Sequence, residues 1–81
     1  MKLKPNTYYK RSYDTNKDDY DILYTGTKWV YDIASKYNNN LLVKYTKKFK
    51  WWTIEEWQRY IKHQHIKVEE LSKEDLFLEL L

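Results

Sequence analysis

The sequence predicts a single α+β domain over residues 1–81. The expected architecture is a small antiparallel sheet or SH3-like barrel of four to five short strands, with one helix over about 54–63 and a short C-terminal helix. Three observations carry this expectation. Runs rich in Tyr, Ile, Val and Thr fill the first 46 residues between turn-forming Asn, Asp and the single Gly. A strong helix-start signal stands at Thr53, and the last ten residues pair a capping serine with an apolar stripe. Eighty-one residues suffice for one domain and not for two. A core of this size is marginal, and with no cysteine it has no disulfide to staple it. Nine Tyr, four Trp and two Phe supply the filling instead, since each aromatic ring can bury about 150–250 Å².

Taken in order, "NTYYKRSY" (6–13) and "YDILYT" (20–25) are rich in strand formers, and the second ends at Gly26, a natural turn. "KWVYDIA" (28–34) alternates, with Trp29, Tyr31 and Ile33 on one face and Val30, Asp32 and Ala34 on the other, which predicts a half-buried strand. "LLVKYT" (41–46) predicts its partner across a loop of about five residues, "KYNNN", because Asn tolerates left-handed backbone geometry. A helix across "YDIASKY" is the competing reading. "TIEE" (53–56) is a capping box, and Trp52 and Trp57 flank it at the spacing of a hydrophobic staple. Ile54, Trp57 and Ile61 then form one apolar stripe with Tyr60 beside it. "IKVEEL" (66–71) reads as a strand, and Ser72 caps a final helix that is too short to stand alone and must dock on the body or on a partner.

Charge divides the domain into two parts. Residues 1–68 hold fourteen Lys/Arg against seven Asp/Glu, a balance of +7, whereas residues 69–81 hold one Lys against five acids, a balance of −4. A basic body attracts nucleic acid or acidic protein surfaces, and an acidic tail either opposes that attraction or folds back onto the body. Thirteen of the fifteen cations are Lys, which suits phosphate attraction better than bidentate base reading, so sequence-specific DNA recognition is not expected. The N-terminal "MKLKPNTYYKRS" has no apolar core, and no apolar run exceeds three residues. The expectation is therefore a protein with no signal peptide and no membrane span, located in the cytoplasm of a bacterial host.

Few residues group into chemistry. "DTNKDD" (14–19) opens like a calcium loop, yet Asp19 stands where Gly is needed and Thr25 where a bidentate Glu is needed, so a polar turn is expected. His63 and His65 lack the further ligands a metal requires. There is no nucleophile elbow, no phosphate-binding glycine loop and no cysteine, so neither an enzyme nor a cofactor is expected. The strongest functional candidate is "KYTKKFKWW" (44–52). Lys44, Lys47, Lys48 and Lys50 alternate with Tyr45, Phe49 and Trp51, and a strand would present them as a stacking face beside a cationic one. The competing reading turns those aromatics into the core and leaves the lysines as a solvated face.

Lys, Asn, Ile and Tyr account for 32 of the 81 residues. With its short, glycine-poor chain, the protein is similar to the short orphan proteins of phages and mobile elements of low-GC Gram-positive bacteria. That resemblance implies a non-catalytic protein that binds and inhibits or modulates a host protein, as anti-CRISPR proteins do. The basic body departs from the acidic, DNA-mimicking inhibitors of that group. Lys44, Lys47, Lys48, Phe49, Lys50 and Trp51 are the expected partner- or nucleic-acid-binding residues. Two further expectations stand beside the first: a nucleic-acid-binding module using Lys44, Lys47, Lys48, Lys50 and Trp51, and a homo-oligomer joined through Leu76, Phe77, Leu80 and Leu81.

Overall fold

Six antiparallel strands and two helices make up the computed structural model, which describes residues 2–14, 16–43, 50–63 and 65–81, the side chains of Lys17, Val43, Lys50, Trp51 and His63 excepted. The strands are β1 (Thr7–Tyr13), β2 (Asn16–Thr25), β3 (Trp29–Tyr37), β4 (Asn40–Val43), β5 (Lys50–Thr53) and β6 (Ile66–Leu71). Helix α1 (Ile54–His63) separates β5 from β6, and α2 (Lys73–Glu79) follows β6. The sheet order is β4-β3-β2-β1-β6, and β5 also pairs with β3. This is the small α+β sheet that the sequence predicts, with one strand more than expected. The extra strand is β5. It pairs with β3 from Trp29↔Thr53 to Tyr31↔Lys50, and β4 pairs with the other end of β3, from Ala34↔Val43 to Tyr37↔Asn40. The continuation of β4 to Thr46 that the sequence suggests lies outside the described residues.

Turn chemistry explains the hairpins. Asn38 and Asn39 take φ of 52° and 66° and close β3 onto β4 with two residues, shorter than the five-residue loop expected. Two successive left-handed residues match the twist of the flanking strands, which a longer loop would not need to do. Gly26 serves a different purpose: its φ is not positive, but an added Cβ would lie 3.2 Å from the Tyr31 ring. The glycine leaves room for that ring.

Helix α1 begins as its sequence dictates. The Glu56 N–H donates to Thr53 Oγ1 at 3.2 Å, and the Thr53 N–H donates back to Glu56 Oε1 at 3.4 Å. Trp52 and Trp57 close the staple with ring centroids 5.6 Å apart. Because β5 and β6 lie at opposite edges of the sheet, α1 runs across one sheet face to connect them. There Trp57 packs with Leu3, Tyr9, Leu23 and Val30, and Ile54, Tyr60, Ile61 and Val68 close around them. The other face carries a second cluster, Tyr20, Ile22, Ala34 and Leu71, onto which α2 sets Leu76 and Leu80.

Adjacent residues such as Tyr8/Tyr9 and Ile22/Leu23 divide between the two clusters, as the pleat requires. The expected facing of β3 is corrected at Ala34, which joins Ile33 in the cluster under α2 and leaves the face of Val30. Val30, Asp32, Ala34 and Ser35 are its buried residues, and Trp29, Tyr31 and Ile33 are half-buried. Both faces carry a helix, so apolar alternation does not identify the inner one. A register shift between Ile22 and Leu23 then leaves Ile33 unmatched and returns Ser35 to the face of Asp32.

Candidate binding surface

Beyond the apolar cluster under α1, the same sheet face turns polar. Arg11 from β1 forms an ion pair with Asp21 from β2, and their side chains are only 8% and 3% exposed. Ser35 Oγ donates to Asp21 Oδ1 at 2.6 Å, and the Tyr37 hydroxyl donates to the same oxygen at 3.0 Å. A buried charge is costly unless it is paired and hydrogen-bonded, and here Asp21 receives three donors. With Arg11 and two hydroxyls engaged, this carboxylate is committed to holding three strands and the ring of Tyr37. Asp32 lies on the same face, 2% exposed.

Around this buried lattice stands a row of aromatics that the fold leaves open. Tyr37 is 46% exposed, Tyr13 39% and Trp52 39%. Tyr60 of α1 bridges the row: it hydrogen-bonds Tyr13 and meets the Trp52 ring edge-on at 4.9 Å. The Arg11 guanidinium lies 5.3 Å from the Tyr13 ring and 5.4 Å from that of Trp57, within cation–π range. Burial raises the Tyr60 hydroxyl above its ordinary pKa and the hydrogen bond with Tyr13 adds to that. Burial also raises Tyr37, against the opposing charge of Arg11. Both hydroxyls are therefore neutral donors at physiological pH. Leu42, opposite Ser35 in the register, is exposed beside the row. Trp52, Glu56, Arg59 and Tyr60 line a shallow depression of about 340 Å³ at its far end.

Of the sequence-predicted site, Lys44, Lys47, Lys48 and Phe49 lie outside the described residues. Lys50 and Trp51 are placed by backbone on β5, immediately before Trp52, so the strand leads from the basic segment into the aromatic row. Tyr13, Tyr37, Leu42 and Tyr60 were not predicted as surface residues. A usable signal existed: Tyr13 and Tyr37 each end a strand beside an Asp or Asn turn, where the next residue must face solvent.

The remaining motifs resolve into local structure. In "DTNKDD", Asn16 Nδ2 donates to Asp19 at 2.9 Å, the Asp18 N–H donates to Asn16 at 3.2 Å, and Asp19 Oδ1 accepts from the Asn38 N–H at 3.1 Å. Among the described residues no group of three or more His, Asp or Glu is placed to hold a metal. His65 is exposed, its Nδ1 3.8 Å from Asp14. The acidic tail folds back onto the body through Lys4–Glu70 at 3.3 Å and Lys10–Glu79 at 3.1 Å, with the Tyr20 hydroxyl also donating to Glu79. Of the four residues expected to join copies, Leu76 and Leu80 pack inside the monomer, and Phe77 and Leu81 are exposed together with Leu78.

Among the described residues no helix is long and apolar enough to cross a membrane. Comparisons with protein-family models, with curated proteins and with solved structures found no match for this chain.

Proposed function

We propose that this chain is a small non-catalytic binding protein, phage or mobile-element encoded, that inhibits or modulates a host protein by covering part of its surface. The aromatic row Tyr37–Tyr13–Tyr60–Trp52 carries this reading. Tyr and Trp are the side chains that most often dominate interface energetics, because they bring large contact area with few rotamers to freeze. Here the rotamers are already restrained: Tyr37 is held by Asp21, Tyr60 by Tyr13, and Trp52 by Trp57 and Tyr60. Aromatic rings fixed in advance reduce the entropic cost of association. The compositional resemblance supplies the host-protein partner and the bacterial cytoplasm as the setting.

The test is retention of a stoichiometric protein from host lysate by the wild-type chain and by a Tyr13→Ser/Trp52→Ser variant shown to remain folded. Retention by the wild type alone supports the reading, and equal retention by both contradicts it.

A nucleic-acid reading rests on a separate observation. The Trp52 ring is open beside Arg59, on the strand that begins at Lys50 and follows Lys47 and Lys48 in sequence. Base stacking there would be worth roughly 1–3 kcal/mol per base. Titration of single- and double-stranded DNA and RNA at two salt concentrations decides it, since phosphate-driven binding weakens steeply with salt. Absence of binding at low salt removes it.

A further inference from the structure

Strand β6 ends the sheet. Among the described residues it pairs only with β1, through Tyr8↔Leu71 to Tyr13↔Ile66. An edge of six residues offers alternate N–H and C=O groups to another strand, and charges on such an edge ordinarily guard it. The charges on β6 do more than guard. Leu71 belongs to the cluster under α2 and Val68 to the cluster under α1, so Lys67 and Glu69 share the α2 face with Leu71. Both charged side chains are about half exposed and lie 2.9 Å apart, Nζ to Oε1, within one chain.

A second copy can approach this edge antiparallel about a twofold axis normal to the sheet, and residues directly opposite must then share a face. That restricts the register to pairs of like parity. Centring on Lys67 sets Lys67 against its own copy, and centring on Glu69 sets Glu69 against its own copy; like charges directly opposite are destabilising. Centring on Val68 instead sets each Lys67 opposite the other copy's Glu69, twice, with Val68 facing Val68. One register satisfies the charges and its neighbours on either side penalise them.

We propose that this chain forms a twofold dimer by antiparallel pairing of β6 with β6 of a second copy, centred on Val68 and fixed by reciprocal Lys67–Glu69 pairs. The acidic balance of residues 69–81 does not oppose the approach strongly, because Lys4 engages Glu70 and Lys10 engages Glu79 within each chain. The same axis keeps both α2 helices on one face of the continuous sheet. That face then carries Phe77, Leu78 and Leu81 of each copy, which the monomer leaves 67%, 67% and 82% exposed. This dimer leaves the aromatic row on the other face uncovered, so its success or failure is independent of the function proposed above.

Sedimentation velocity of the full chain over a concentration series tests it. The wild type is expected to move from 10.2 kDa towards twice that mass as concentration rises. Lys67→Glu and Glu69→Lys each place like charges opposite in their own homodimers and are expected to raise the dimer dissociation constant roughly tenfold. Mixed in equal amounts, the two variants restore both opposite-charge pairs and are expected to regain the wild-type dimer. A wild type that stays at 10.2 kDa throughout overturns the proposal. So do charge variants as dimeric as the wild type, or a mixture no more dimeric than its components. A dimer abolished by Phe77→Ser/Leu81→Ser and unaffected by the charge variants would place the contact on α2 and also overturns it.

Discussion

The two faces of this sheet are each covered by one helix, and the helices are held in different ways. Helix α1 is specified by its own sequence: a cap, a staple and Trp57, which is 1% exposed in the larger cluster. Helix α2 has a serine cap, with the Asp75 N–H donating to Ser72 at 3.1 Å, but none of its seven residues is buried. It is held by half-buried Leu76 and Leu80 and by the contacts of Glu79 with Lys10 and Tyr20. The two anchorages suit the two sides to different uses. A helix anchored by a core tryptophan is a rigid platform, which suits presentation of fixed aromatics to a partner. A short helix held by two leucines and an ionic contact is the element that opens first under perturbation.

The largest effects should come from breaking the α1 side. Trp57→Ala empties the centre of its cluster and should cost about 3–5 kcal/mol, read from denaturant midpoints. Asp21→Ala removes the buried carboxylate that receives Arg11, Ser35 and Tyr37 and should cost a comparable amount, about 3–5 kcal/mol. If Asp21→Ala is instead nearly neutral, the polar lattice is not what positions Tyr37. A smaller loss, about 1 kcal/mol, is expected for Thr53→Ala, which removes the cap and leaves Trp57 in place.

On the α2 side the expected signature is local. Leu76→Ala should release the amides of α2 to rapid hydrogen exchange and leave those of β1–β3 protected; protection lost uniformly would show that α2 is integral to the global fold. Acid should act on the same element. Burial alone would raise Glu79, but hydrogen bonds from Tyr20 and Lys10 and the charges of Lys10 and Lys36 overcome it and hold the carboxyl below its ordinary pKa. A depressed carboxyl stabilises the fold above its unfolded pKa and loses that contribution as pH falls through the folded value. Protection factors of the α2 amides, corrected for the intrinsic pH dependence of exchange, should accordingly fall on acidification below the usual Glu range, and Glu79→Gln should flatten the response.

The opposite limb belongs to Tyr20. Burial first, then the Glu79 contact, push its hydroxyl from 10.0 up to about 12. Stability held by the neutral phenol is full below pH 10 and is lost as pH rises towards about 12. Tyr20→Phe should lack that alkaline phase.

Much of the α1 side was legible because its signals are local in sequence. The capping box and staple lie within six residues, and the helix they start is the one observed. A capping serine and a stripe too short to be stable alone showed that the last segment must dock, but not that Leu76 and Leu80 meet the body of their own chain and not a second copy. What sequence could not show depends on pairing between distant residues. Arg11 and Asp21 are ten apart on different strands, and each looks like an ordinary exposed charge until β1 and β2 set them opposite one another. The burial of Asp32 was hidden by its apolar neighbours Trp29, Tyr31 and Ile33, which alternate convincingly on what proves to be the less buried face. Exposure of Tyr13 and Tyr37 depends on where the strands end, and chain ends of strands are set by turn geometry more than by composition. The basic segment showed its chemistry in sequence, and β5 carries its last two residues to the edge of the aromatic row.

A protein partner is proposed to bind this row, on the face anchored by Trp57. The most direct measurement incorporates a photo-crosslinking side chain at Tyr13, and separately at Tyr31 on the α2 face, and compares the adducts formed in host lysate. One dominant protein adduct is expected from position 13, abolished by Trp52→Ser, and none from position 31. Equal adducts from both positions, or an adduct from position 13 unaffected by Trp52→Ser, would contradict it.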